Sequence, residues 1–153
     1  MLRISSLIFA CLIAVSMAPT AHANTTKLDN VAACAGVVLG NGAIDFFIGD
    51  EMSFDDAAEI AYTAYLAEAF AGGHTQSDLQ IADQILGGNM DKVIAAYNSD
   101  SFDNELYEEV VGCYRMLALD LINNHEIISA GRSSWEEIKD MSISTIKRML
   151  RAG

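Results

Sequence analysis

The sequence predicts an all-α protein, a single-domain compact bundle of five to six helices crosslinked by one disulfide between Cys34 and Cys113. Three observations carry this expectation. No proline follows Pro19, so the residue that most strongly breaks helices is missing from the body of the chain. Apolar residues recur every three or four positions in successive segments, with glycine pairs and short Asn, Asp and Ser runs between them. Two of the three cysteines fall inside such segments.

Residues 1–23 read as a signal peptide. MLRISS carries Arg3 and no acid, Leu7 to Met17 is an apolar run of leader length, and Ala21-His22-Ala23 sets small residues at minus three and minus one before Asn24. A membrane anchor needs roughly 18 to 20 apolar residues, whereas this run stops at Pro19. Cys11 leaves with the leader. The expected mature chain, residues 24–153, is one helical domain of 153 − 23 = 130 residues, long enough to bury a core. Its expected location is periplasmic or secreted, with no membrane insertion after cleavage.

That location is oxidising, and an even pair of cysteines there is expected to form a disulfide. On a helix Cys34 shares a stripe with Val31, Ala35 and Val38, and Cys113 shares one with Leu106, Val110 and Leu117. Gly36 and Gly112 are expected to help the backbones approach, because a bridge wants α-carbons about 5.5 to 6 Å apart. There is no C-x-x-C, no haem-attachment motif and no second pair at zinc spacing.

The first helix begins near Thr26, with Asp29 three residues on, and carries Leu28, Val31, Ala35, Val38 and Leu39. Gly40-Asn41-Gly42 is expected to kink or stop it, with a resumption through Phe46, Phe47 and Ile48 before Gly49-Asp50. The second helix takes Ser53 as N-cap with Asp56 three residues later, and Gly72-Gly73 closes it. Its middle, Ala57 to Ala71, is apolar on most faces and predicts the central helix. A third segment starts at Ser77 and is interrupted at Gly87-Gly88, giving one broken helix or two short ones. A fourth runs from Phe102 to about Ile122. The last is expected to start at Ser133-Ser134, where Glu136 and Glu137 make a doubled capping box, and carries Trp135, Ile138, Ile146 and Met149.

All 21 acids follow the leader, and eight Lys or Arg remain without Arg3, so the mature net charge is 8 − 21 = −13. A surface of this sign repels nucleic acid and anionic lipid; it serves solubility or adaptation to salty surroundings first, and it can also attract cationic proteins, peptides or divalent ions. Asp50, Glu51, Asp55, Asp56 and Glu59 crowd one helix entry and are the candidate ligands for Ca²⁺. The stretch from Asn98 to Glu109 mimics a calcium loop but has Phe102 at position five and Asp103 where the loop needs glycine. His74 and His125 have no partner at ligand spacing and read as surface loop residues. Tyr62, Tyr65, Tyr107 and Tyr114 read as core aromatics with hydroxyls at the rim. No nucleophile-elbow, zincin or phosphate-loop motif occurs, so no catalytic residue and no cofactor beyond Ca²⁺ is assigned.

In plan the chain resembles the small disulfide-linked acid-stress chaperones of the periplasm, which are helical with a single bridge; the likeness covers no shared motif. It implies that protonating carboxylates near the sequence pI of about 4.4 removes the negative charge and frees apolar surface for clients. The expected function is a non-catalytic periplasmic binding or chaperone-like module whose partner is a protein or peptide, cationic where electrostatics matter, and not a nucleic acid. The alternatives are a calcium-dependent protein or enzyme built on Asp50 to Glu59, and an inhibitor or immunity partner of a cationic envelope enzyme.

Overall fold

The computed structural model describes residues 25–152; the signal-peptide reading falls on residues 1–23, outside them. Five α-helices follow one another: α1 (Thr25–Phe47), α2 (Glu51–Phe70), α3 (Gln76–Asn98), α4 (Asn104–Asn123) and α5 (His125–Ala152). No strand occurs among the described residues. The all-α bundle is as expected, and the Cys34–Cys113 disulfide joins α1 to α4 with the α-carbons 4.8 Å apart.

Three helix starts show how side chains settle the otherwise unpaired N–H groups of a first turn. Asp50 caps α2, its carboxylate accepting from the Ser53 backbone N–H at 3.0 Å and from the Ser53 hydroxyl at 2.7 Å. The predicted cap, Ser53, is thus the third residue of the helix. Thr75 caps α3 in a reciprocal box with Asp78, two residues earlier than expected. Asp103 caps α4 through Leu106 N–H at 2.9 Å. Gly72 and Gly73 end α2 with φ of 94° and 83°, a backbone that only glycine adopts without strain.

Two predicted interruptions do not occur. α1 runs unbroken through Gly40-Asn41-Gly42 because those glycines face neighbouring helices. A Cβ on Gly40 would stand 2.7 Å from Val93 Cβ, and one on Gly42 would stand 2.8 Å from Ala57 Cβ. The entropic cost of glycine in a helix, about 1 kcal/mol each, is offset by the close packing it permits. Gly36 lies on α3 as well: its Cβ would fall on the Leu86 carbonyl oxygen. The expectation that Gly36 and Gly112 serve the disulfide is therefore corrected, since Gly112 faces open space and Gly36 serves α3. α3 also runs unbroken through Gly87-Gly88, held by Leu86, Met90 and Val93, all buried.

Nor does the last helix begin at Ser133-Ser134. α5 starts at His125, one residue after α4 ends, with the Asn124 carbonyl accepting from Ile128 N–H at 2.9 Å. Ser133 and Ser134 are exposed mid-helix residues, since capping requires a non-helical backbone that the turn at Asn124 already provides.

The centre of the bundle is α1 rather than the predicted α2. α1 packs along α2 and α3, touches α4 and brushes α5. Matched glycine contacts make α1 and α3 parallel, Gly36 meeting Leu86 and Gly40 meeting Met90 and Val93. α2 and α4 run the other way, and α5 lies antiparallel along α2. The core holds Leu28, Val38 and Leu39 of α1, Phe54 and Tyr65 of α2, Leu86 of α3, Leu117 of α4 and Trp135 of α5. By length and composition Lys27–Phe47 would suffice to cross a membrane; in the bundle its apolar faces are covered by its neighbours.

Candidate functional site

The five acids singled out above lie at the start of α2, on the stretch that α5 covers. They do not converge. Asp50 is spent on the cap, and its bonds to Ser53 hold its carboxyl below the ordinary range. Glu51 faces Arg151 at 3.3 Å and Asp55 faces Lys147 at 2.5 Å. Glu59 receives Lys139 at 2.7 Å and Arg132 at 3.4 Å. Asp56 is exposed, and its charge adds slightly to the raising of the Tyr114 pKa on α4. Among the described residues no three His, Cys, Asp or Glu side chains gather as a metal cage would require.

Opposite α2 stands the basic side of α5. Five of the eight Lys and Arg that follow residue 23, Arg132, Lys139, Lys147, Arg148 and Arg151, belong to this helix. Lys139 is the one that sequence reasoning missed, being only 2% exposed. Its ammonium donates to Glu59 and to Glu136, at 2.7 and 2.6 Å, and lies 6.0 Å from the Trp135 ring centre. Burial alone would lower its pKa; the hydrogen bonds it donates to Glu136 and Glu59, with their charges, outweigh that and hold it above its ordinary value. The signal was in the sequence: Lys139 is four residues from Trp135 and seven from Ile146, on the stripe that buries both.

A second polar group lies between α2 and α3. Tyr65 donates to Asp83, and Tyr62 lies close by with its hydroxyl buried and without a hydrogen-bond partner among the described residues. Burial first, and then the Asp83 charge, push both phenols well above their ordinary value. Such phenols are hydrogen-bond donors at neutral pH rather than bases. Burial also raises Asp83, against the lowering effect of the Tyr65 hydrogen bond. A third group joins α1 to α4: Asn41 donates to Asp45 at 3.4 Å, and burial followed by the Asp45 charge raises Tyr114. Burial and then Asp50 raise Asp45 itself.

Two expectations about single residues are corrected. His74 is buried, 6% exposed, its Nε2 donating to the Glu68 carbonyl at 3.2 Å. Glu68 also pairs with Lys27 at 2.6 Å, so the loop after α2 folds down onto a charged cluster. Tyr107 is 57% exposed rather than a core aromatic, because it lies to the side of the Leu106, Val110, Cys113 and Leu117 stripe. His125 is exposed as expected, donating from Nδ1 to the Ile122 carbonyl at 3.1 Å.

Large apolar side chains stay exposed at two opposite ends of the bundle. Phe47, Ile48 and Met52 flank the α1–α2 turn, beside Asp50 and Glu51. Leu119, Ile122 and Ile127, each more than half exposed, flank the α4–α5 turn, beside Asp120 and Glu126. Each end thus sets exposed apolar surface beside acidic residues. No protein-family model, curated protein or solved structure matches the chain.

Proposed function

We propose that the protein is an exported, non-catalytic binding module of chaperone-like kind, whose partners are cationic, amphipathic stretches of protein or peptide. The observation that carries this is the pairing of exposed apolar side chains with acids at both ends of the bundle, Phe47, Ile48 and Met52 at one and Leu119, Ile122 and Ile127 at the other. Apolar area supplies affinity, and the −13 charge speeds encounter with cationic partners and rejects anionic ones. The disulfide supports export, since such bridges persist in oxidising compartments.

Acid is the condition under which binding is expected to widen. The contact of α5 with α2 is lined by Glu51, Asp55 and Glu59 against Arg151, Lys147, Lys139 and Arg132. Lowering the pH toward the sequence pI of about 4.4 removes the net negative charge of the molecule, so a contact held by ion pairs weakens and the apolar face of α5 is bared. The test is light scattering from an unfolding client protein mixed with the oxidised mature protein. Suppressed aggregation at acid pH, and binding of a cationic amphipathic peptide that weakens with salt, are expected. Failure at both acid and neutral pH overturns the chaperone reading. Retention of a single stoichiometric partner at low salt would favour the inhibitor reading instead.

A further inference from the structure

We infer that α5 is exchangeable between two copies of this chain, forming a domain-swapped dimer in which α5 of each copy lies on α2 of the other. The connection that makes this feasible is a single residue. α4 ends at Asn123 and α5 begins at His125, with Asn124 between them at φ −111° and ψ 15°. A rotation of roughly 50° in each angle brings Asn124 to ordinary helical values. Helical hydrogen bonds already flank the bend, Asn124 N–H to the Asp120 carbonyl at 3.0 Å and Ile128 N–H to the Asn124 carbonyl at 2.9 Å. With Asn124 helical, α4 and α5 become one rod that carries α5 away from its own α2.

Little else holds α5 to its own chain. It packs chiefly on α2 and only touches α1 and α4. It lies beyond both cysteines in the sequence, so the Cys34–Cys113 loop does not enclose it. Every contact it makes on α2 can be remade on the α2 of a second copy: Arg151 with Glu51, Lys147 with Asp55, Lys139 with Glu59, and Trp135 in the core. The two arrangements therefore differ mainly at the hinge and in the cost of association, the condition under which short connections exchange elements. In the closed chain the bend is pinned by Asn124 Nδ2, which donates to the Asp120 carbonyl at 2.8 Å and to Asp120 Oδ1 at 3.0 Å.

The test mixes unlabelled and ¹⁵N-labelled oxidised protein, loosens both in mild urea, returns them to native buffer and records native mass spectra. Mixed-label dimers are expected. Carbodiimide then joins Glu59 to Lys139, and because Lys139 is buried in the α2–α5 contact, a light peptide joined to a heavy one reports a swapped α5. Asn124→Ala removes the pin and favours the helix, and is expected to raise the dimer formation constant by roughly threefold per hinge, about tenfold in all. Four glycines inserted after Asn124 relax the turn and are expected to return the protein to monomer. Circular dichroism and thiol alkylation verify that each variant is helical and bridged. Monomers alone from both the parent and a folded Asn124→Ala, or dimers whose Glu59–Lys139 links are all same-label, would overturn the inference.

Discussion

Asp83 carries a cost that Tyr65 only partly relieves, and the balance gives stability a pH dependence. Burial keeps its carboxyl above the ordinary aspartate value, against the lowering effect of the Tyr65 hydrogen bond. Between the unfolded and the folded values the native state holds a proton that the unfolded chain has released, so this contribution to stability falls as pH rises through that window. Asp45 has the same direction. Asp83→Asn keeps an acceptor for Tyr65 and removes the titration; urea unfolding should show it gaining stability over the parent more at about pH 7 than at about pH 4. An equal change at both would refute the assignment. What the sequence exposed at this scale was residue type and helical stripe. It did not reveal which polar side chain a neighbour would cover: His74 looked like a loop surface residue until the turn after α2 folded it onto Glu68, and Lys139 follows its buried stripe despite its charge.

Among the elements, the glycines decide how close helices come. Gly36, Gly40 and Gly42 let α1 lie against α3 and α2, whereas a Cβ at Gly87 or Gly88 would meet nothing. Gly36→Ala is therefore expected to cost about 2 to 3 kcal/mol through displacement of the α3 backbone, despite its gain in helix propensity. Gly88→Ala should instead stabilise by about 0.5 to 1 kcal/mol. Melting temperatures of the two variants check this, and a shift of the same sign in both would defeat it. Five helices were legible from periodicity, and the end of α2 at Gly72-Gly73 was legible from its turn chemistry. Whether a glycine breaks a helix or seats it against a neighbour depends on a partner far along the chain, which is why the predicted break in α1 was lost. The start of α5 was misplaced for a related reason, since serine spacing at Ser133 and Ser134 imitates a cap in a helix already under way.

For the whole molecule, the bridge between α1 and α4 closes a loop of 79 residues that contains α2 and α3. In the chain-entropy model a loop of that length contributes about 4 to 5 kcal/mol, comparable with the net stability of a small domain. Cys34→Ala with Cys113→Ala should therefore lower stability by an amount of that order in denaturant unfolding, and a loss below about 1 kcal/mol would show that the unfolded chain is already restrained. The candidate site was legible at this scale only as charge. The acids of α2 were visible, but their cations sit 73 to 100 residues away on α5, and no local pattern announces that pairing. The position of the bridge also bears on the order of events during biogenesis. Both cysteines precede α5 in the chain, so in synthesis from the N-terminus the bridge between α1 and α4 can close before α5 has been made. α5 then arrives as a latecomer to a scaffold already tied together, and seals its core with Trp135 and Ile146.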